Sequence, residues 1–204
     1  PQDPYEQLLG AVEAVFSSWL NNRAVTYRKI NNIPDTWGTG ATIQTMVFGN
    51  LNEKSGTGVA FTRNPSTGDK ELYGEYLMNA QGEDVVAGLR TPLPITNDEK
   101  GNKNSLEENF PTAYKEILET AGKLENHFKE VQDIEFTIED EQIYLLQTRK
   151  AKRTAQASVK IAIDMEAEGI VSKEDAILMV DANNITNLLH PQFIESQERD
   201  FFDK

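Results

Sequence analysis

The stretch QDIEFTIEDEQIYLLQTR, residues 132–149, collects groups that could hold a metal ion and a phosphate. Its pattern predicts two strands joined by a tight acidic turn. Residues two apart in a strand share a face, so Asp133 lies beside Glu135, and Gln147 lies beside Arg149. Carboxylate and amide oxygens suit a hard cation such as magnesium, and a planar guanidinium suits a phosphoryl oxygen. A solvated polar face is the competing interpretation, because mixed charges are common on strand faces.

The register of this hairpin decides whether the four polar groups meet. Tyr144 and Leu146 are predicted on the face opposite Gln147. If the apolar faces of the two strands are buried together, the residue numbers of each cross-strand pair must add up to an even number. Glu135 opposite Leu145 is one such pair. The sequence therefore predicts an odd-numbered loop or a β-bulge instead of a plain two-residue turn.

A glycine-rich stretch at residues 55–58 precedes another apolar run. It is not a dinucleotide fingerprint, because the glycines come before the strand and a third glycine is missing. A flexible turn is one interpretation. The other is a backbone that a ligand approaches closely at Gly58. Glu75 and Glu83, taken singly, are typical of surface acids.

Basic residues offer two further possibilities for phosphate binding. Arg63 follows a predicted strand, and its loop is either ordinary turn chemistry or a phosphate contact. Four cations also occupy five consecutive positions, at Arg149, Lys150, Lys152 and Arg153. These either compensate for nucleotide phosphate or are the charges of a helix start and linker.

The elements that must position these groups are mixed helices and strands, without an internal repeat. Helices are predicted to begin at Asp3-Pro4, Arg23, Pro111, Thr154 and Ser172. Strands are predicted over 42–48, 58–62 and 71–77 in addition to the hairpin. Polar stretches predict a loop at 79–84, a mobile insertion at 97–104 and a tail at 184–204.

Composition excludes several classes of function. The 204-residue chain has a formal net charge of −13, which argues against a general nucleic-acid binder and against an anionic membrane as partner. The absence of cysteine excludes disulfides, zinc fingers and thiol nucleophiles, and fits a cytoplasmic protein. No apolar run reaches the roughly 18 residues of a membrane span. The chain lacks an initiating Met, so we expect it to be part of a longer protein.

Four stretches together resemble the pyruvate, phosphate dikinase family. They are WGTGATIQTMVFGN at 37–50, GTGVAFTRNPSTGDKELYGEYLMNAQGEDVVAGLRTP at 56–92, VQDIEFTIEDEQIYLLQTR at 131–149 and KRTAQASVKIA at 152–162. The resemblance covers essentially the whole chain. It implies an α+β, ATP-grasp-type subdomain over 1–150, with a mostly antiparallel sheet and flanking helices. A helical linker over 151–204 would then lead toward a phosphohistidine domain.

The resemblance also implies a reaction. Full-length members convert ATP, phosphate and pyruvate into AMP, pyrophosphate and phosphoenolpyruvate, and a swivelling histidine carries the phosphoryl group between two distant sites. This chain resembles only the C-terminal part of the nucleotide-binding domain, without the phosphohistidine motif or the pyruvate-binding barrel. We therefore expect the parent to be a homodimeric phosphotransferase and the isolated chain to be inactive, binding Mg-ATP weakly at best.

Residue roles implied by the resemblance centre on the hairpin. The four polar residues of the hairpin match family positions at the nucleotide site, and Glu135 and Gln147 would be the magnesium ligands. Arg149 would neutralise the triphosphate, and Asp133 would orient the site. The physics agrees, because phosphoryl transfer depends mainly on positioning and on charge neutralisation.

Three further residues match the same cleft of the family. Gly58 would let the backbone approach a phosphate closely. Glu83 and Glu75 would help to position phosphate, metal or the incoming histidine. The implied catalytic residues are thus Arg149, Glu83 and Glu75.

Two alternatives to the dikinase remain open. A phosphoenolpyruvate synthase or another dikinase would share the architecture, although the synthases differ around Glu83. A non-catalytic interaction fragment would have an acidic face that is merely solvated.

Overall fold

A computed structural model describes residues 1–88, 90–97, 104–182 and 185. The predicted insertion at 97–104 and the predicted tail at 184–204 lie almost wholly outside these ranges. The chain divides into two compact units, residues 1–46 and 47–204.

The first unit contains two helices, α1 (Pro4–Ser18) and α2 (Asn22–Ile30). The predicted start of α1 is confirmed, because the Asp3 carboxylate accepts a hydrogen bond from the Tyr5 backbone N–H at 2.8 Å. Asn21 caps α2 in the same way. Both caps satisfy backbone donors that have no partner inside the helix.

The predicted strand over 42–48 is wrong, since the structure has no strand there. Ile43 and Met46 each leave 69% of their surface exposed. The Phe48 N–H bonds to the Glu139 carboxylate, at 2.5 Å, instead of to a neighbouring strand. β-Branched residues fit a strand only where a partner strand completes the hydrogen bonds, and none does so here.

The second unit is built on a five-stranded, fully antiparallel sheet in the order β3-β2-β1-β4-β5. The predicted strands after residue 57 are confirmed with small shifts of their ends. The strands are β1 (Gly56–Phe61), β2 (Tyr73–Met78), β3 (Leu93–Pro94), β4 (Gln132–Glu139) and β5 (Gln142–Lys150).

Helices flank this sheet, which confirms the α+β class. The predicted helices at 111, 154 and 172 are all present, whereas the end of the predicted loop at 79–84 is the start of a short helix. The helices are α3 (Gly82–Ala87), α4 (Leu106–Asn109), α5 (Pro111–Phe128), α6 (Ala155–Ala167) and α7 (Lys173–Leu178).

One face of the sheet is covered by α4 and α5. The even-numbered residues of β4 point into this core, where Ile134 and Phe136 pack with Tyr76 from β2. Ile117 in the middle of α5 and Leu106 from α4 complete the layer, and all five are almost fully buried. Because side chains alternate along a strand, this packing directs the odd-numbered residues to the opposite face.

Arg63, just beyond β1, is completely buried and joins the sheet to two helices. Its guanidinium donates to Glu125 of α5 and to Glu168 after α6, each at 2.9 Å. Thr62 donates to the other Glu125 oxygen at 2.7 Å. Burial opposes ionisation of Glu168, but hydrogen bonds from Arg63 and Lys70 outweigh it and lower the pKa of that carboxyl. The phosphate-contact interpretation of Arg63 is therefore wrong.

Helix α6 packs against the end of the sheet within the second unit. Ala157, Ile161 and Met165 form one buried cluster with Val131 and Ala151. Packing is thus continuous across residue 150, where the sequence predicted the end of the subdomain. A linker role for the segment from 151 onward stays a prediction.

Glu130 forms ion pairs with two of the four clustered basic residues. It pairs with Lys150 at 2.8 Å and with Arg153, which also donates to Ser158 at 3.1 Å. Burial would raise the pKa of Glu130, but hydrogen bonds from Arg153 and Lys150 outweigh it and lower that pKa. These two cations hold the chain between β5 and α6, so their charge is already compensated.

We expect Arg63→Met to lower the free energy of unfolding by about 3–5 kcal/mol, because it leaves the buried Glu125 carboxylate without its cation and leaves Glu168 with Lys70 alone. The double variant with Glu125→Gln should recover part of the loss, since Thr62 can still donate to the amide oxygen. Urea unfolding followed by circular dichroism measures both. A loss below about 1 kcal/mol, the scale of an exposed ion pair, would contradict this account of Arg63.

Candidate functional site

The face of the sheet away from α5 carries the polar residues that the sequence singled out. Antiparallel pairing places Val59 opposite both Glu75 and Glu135, and Glu135 opposite Gln147. In the next row Asp133 lies opposite Arg149. Directly opposed residues share a face, so all five of the predicted carboxylate, amide and guanidinium groups on β2, β4 and β5 lie on one surface.

A bulge in β5 produces this alignment. Glu139 pairs with Gln142 across the two-residue turn Asp140-Glu141, and both turn residues have positive φ, at 48° and 71°. Such a turn suits a tight hairpin. The register then shifts between Glu135 and Phe136, which leaves Leu146 as the extra residue of β5.

At the polar end of the hairpin, the numbers of paired residues add up to even values as predicted, and the predicted bulge is present. Two details of the prediction were wrong. Glu135 pairs with Gln147, not with Leu145. Tyr144 and Leu146 were expected on the other face, yet Tyr144 pairs with Thr137 and Leu146 lines the same cavity as Glu135. The cause is the combination of a two-residue turn with a bulge, which changes the facing of β5 partway along.

Arg149 is oriented by carboxylates of the neighbouring strand. Its Nε donates to Asp133 Oδ2 at 2.8 Å, and its Nη2 lies 3.5 Å from Glu135 Oε1. The hydrogen bond that Arg149 donates to Asp133, and the negative charge of that carboxylate, raise the pKa of Arg149, so the guanidinium is always charged. The Arg149 side chain is 57% exposed, whereas that of Asp133 is 12% exposed. Asp133 therefore acts as the buried support of an accessible cation.

Glu135 offers a carboxylate to a cation, and Gln147 offers an amide oxygen. Glu135 is 37% exposed at its side chain, and the Gln147 amide has no hydrogen-bond partner among the described residues. The same part of the chain contains no cluster of three or more His, Asp or Glu residues that could enclose a metal. The donor set fits Mg²⁺, which keeps waters and phosphate oxygens in most of its six positions.

A cavity of about 420 Å³ lies on this face. Four of the predicted site residues line it together, namely Gly58, Glu83, Glu135 and Arg149. Asp133 and Gln147 do not line the cavity themselves, but they pair with Arg149 and Glu135, which do. Glu75 lies on the same face but two strands from β4, about 10 Å away at the usual strand spacing, and it does not line the cavity.

Gly58 has a packing reason to be glycine. A Cβ at this position would lie 2.7 Å from both the Phe136 ring and the Tyr76 Cβ, and 2.6 Å from the Glu75 carbonyl oxygen. The missing side chain thus points into the core, while the backbone of Gly58 lines the cavity. A close approach of phosphate to that backbone stays a prediction.

Sequence reasoning missed the apolar part of the cavity wall. Thr57, Val59, Val85 and Leu146 line it beside the charged residues. Thr57 and Val59 could have been found from strand alternation, since both face away from the core once β1 pairs with β4. Leu146 had no such signal, because only the bulge brings it to this face.

The structure defines an α+β protein whose sheet has one face covered by helices and one face with carboxylate, amide and guanidinium groups beside a cavity. The family model for the pyruvate phosphate dikinase AMP/ATP-binding domain matches residues 2–113 and 95–170, so the chain belongs to this family. The resemblance drawn from the sequence is confirmed, and the family's nucleotide-binding domain agrees with the ATP-grasp type of fold.

Individual relatives agree with the family assignment. The chain is 56% identical over 193 residues to a pyruvate, phosphate dikinase of Clostridium symbiosum, which covers 95% of the chain and 21% of the relative. For Rhizobium meliloti the identity is 54% over 204 residues, covering 98% and 23%. The chloroplastic pyruvate, phosphate dikinase 1 of Arabidopsis thaliana is 52% identical over 193 residues, covering 95% and 19%. The chain thus spans about a fifth of the length of these relatives.

We expect Gly58→Ala to lower the free energy of unfolding by about 1–3 kcal/mol even without any ligand, because the added methyl group overpacks the core. Phe136→Leu should relieve part of this loss in the double variant by shortening the nearest side chain. Gly122→Ala in α5 is the matched control, since nothing lies within 4 Å of its added Cβ. Thermal unfolding that does not distinguish Gly58→Ala from the control would contradict the packing role.

Proposed function

We propose that this chain forms one wall of a Mg-ATP site in a phosphotransferase of the pyruvate, phosphate dikinase type. The observation that carries the proposal is the shared cavity lined by Glu83, Glu135 and Arg149. Membership of a family named for AMP/ATP binding supports the choice of nucleotide. A merely solvated acidic face would not require the buried Asp133 support beneath an exposed arginine.

The groups of the chain act by positioning and by charge. Asp133 holds the Arg149 fork in place at 2.8 Å through Nε, and the terminal N–H groups, of which Nη2 lies 3.5 Å from Glu135, would bind phosphoryl oxygens. Glu135 and Gln147 would hold magnesium beside them, and the metal would neutralise phosphate charge as it builds up on transfer. Glu83 reaches the cavity from α3 and would orient phosphate or the accepting group, and Glu75 would contribute from the edge of the same face. Fixed charges of this kind stabilise the transition state without having to reorganise.

The whole protein would convert ATP, phosphate and pyruvate into AMP, pyrophosphate and phosphoenolpyruvate. In that scheme a phosphohistidine domain of the same parent chain is the partner of this site, and the parent is a homodimer. The isolated chain would lack the nucleophile and remain inactive. The described residues contain no helix able to cross a bilayer. We propose a cytoplasmic location, although the Arabidopsis relative is named as chloroplastic.

In a full-length protein that contains this chain, Glu135→Gln and Arg149→Ala should each slow the ATP half-reaction by about 100- to 1000-fold, because each removes a group that stabilises developing charge. Quenched-flow measurement of AMP formation from Mg-ATP and phosphate gives the rate. Glu119→Gln is the control for loss of a carboxylate, because Glu119 is exposed on α5 and its side chain has no hydrogen bond or ion pair within the described part of the chain. Near-normal rates in both site variants would refute the assignment of this face as the ATP site.

Phosphate dependence separates the dikinase from a phosphoenolpyruvate synthase. The dikinase should form phosphoenolpyruvate from Mg-ATP and pyruvate only when inorganic phosphate is present, and pyrophosphate should appear in step with AMP. Turnover that proceeds without added phosphate would identify a synthase and would replace the proposed second acceptor.

A further inference from the structure

Gly49 lies at a crowded junction of backbone segments near the cavity. It is buried, and its φ is outside the positive range that favours glycine. A Cβ at this position would lie 2.4 Å from the Ala80 carbonyl oxygen and 2.6 Å from the Gly56 carbonyl oxygen. Both contacts are to backbone atoms, so no side-chain rotation could relieve them. The requirement for glycine is therefore one of space, not of backbone conformation.

The loop that contains Gly49 holds the segment before α3 at three points. The Ala80 N–H donates to the Gly49 carbonyl at 2.9 Å. The Asn79 N–H donates to the Ser55 carbonyl at 2.7 Å. The Gln81 side-chain amide donates to Asn50 at 3.4 Å. Any movement of this loop away from Ala80 must disturb these contacts together.

The two segments that touch Gly49 both lead directly to residues that line the cavity. Gly56 begins β1, whose next residues line the cavity, and Gln81 immediately precedes α3, which carries Glu83. Helix α3 has six residues, and its start is fixed by the Asp84 carboxylate, which accepts the Gln81 N–H at 2.8 Å. Glu83 itself is exposed, so core packing does not fix its position. The segment that Gly49 accommodates runs directly into the helix that carries Glu83.

We propose that Gly49 is a positioning residue of the site. The missing side chain lets the segment 79–81 lie against the start of β1, and this keeps Glu83 in the cavity that Glu135 and Arg149 also line. A side chain at residue 49 separates the two segments and carries α3 away from β1. This inference rests on the proposed function only for its effect on turnover, because the effect on the position of α3 is independent of what the site binds.

The test compares Gly49→Ala with Gly122→Ala in a full-length protein that contains this chain. Gly122 provides the same substitution in open space on α5, where alanine favours the helix. Hydrogen exchange should accelerate at the amides of 80–85 in Gly49→Ala and remain unchanged there in Gly122→Ala. The ATP half-reaction should slow by about 100-fold in Gly49→Ala, the scale of an ångström-sized misplacement.

A second comparison separates positioning from general destabilisation. If Gly49 acts through Glu83, adding Gly49→Ala to Glu83→Gln should leave the rate within about 2-fold of Glu83→Gln alone. Independent effects that multiply would overturn the proposal, as would exchange at 80–85 that matches the control. If Glu83→Gln retains full activity, the proposed role of Glu83 fails, and the exchange data still decide whether Gly49 positions α3.

Arg90 allows the same test if Gly49→Ala does not fold. Its guanidinium donates to the carbonyls of Met78 at 2.8 Å and Asn79 at 3.1 Å, and thus holds the same segment by its other end. Arg90 is exposed, so Arg90→Ala removes these bonds without changing the core. It should accelerate exchange at 80–85 and slow the half-reaction, with no added effect in Glu83→Gln. Unchanged exchange and turnover in Arg90→Ala would overturn the proposal.

Discussion

The fully buried guanidinium of Arg63 fixes how two helices meet the sheet. Glu125 and Glu168 both bind it, so α5 and the end of α6 are fastened to the end of β1 by one cation. Arg63 and Glu125 would each be costly without the other, because the desolvation of an unpaired buried ion exceeds any gain from packing, whereas Glu168 keeps Lys70 as a second partner. The buried pair is consequently kept or lost as a unit. It holds α5 over the core face and leaves the opposite face of the sheet to the polar residues.

The two faces of the sheet solve different physical problems with the same strands. On the covered face the constraint is volume, and the Phe136 ring fills the space that a side chain at Gly58 would need. On the other face the constraint is orientation, and Asp133 directs Arg149 through a hydrogen bond. The residues of β4 from Asp133 to Phe136 thus serve charge and packing in turn, which explains why acidic and apolar residues alternate over this stretch.

Strand alternation was sufficient to predict that Asp133 shares a face with Glu135, and Gln147 with Arg149, because that periodicity is a local property of the chain. Bringing the two pairs onto one face also required the bulge in β5. The roles of these residues needed the family resemblance, since a polar face has the same pattern whether or not it binds a ligand. Arg63 could not be assigned locally. An arginine after a strand looks the same whether it turns to solvent or inward, and its partners are 62 and 105 residues away in sequence. The position of the bulge was equally hidden, because no residue type marks Leu146.

Because of the bulge, β5 contains one residue more than it needs to pair with β4, so deletions and insertions in this strand should have different effects. If a residue were lost from β5 between the turn and Leu146, the strand could flatten, and Gln147 would still face Glu135. If a residue were inserted there, the existing bulge could not absorb it, and Arg149 would turn toward the core. Evolution of this hairpin should therefore tolerate a shorter strand far more readily than a longer one. This hairpin therefore accepts the deletion of a residue but not an insertion, although exposed surface segments ordinarily tolerate both.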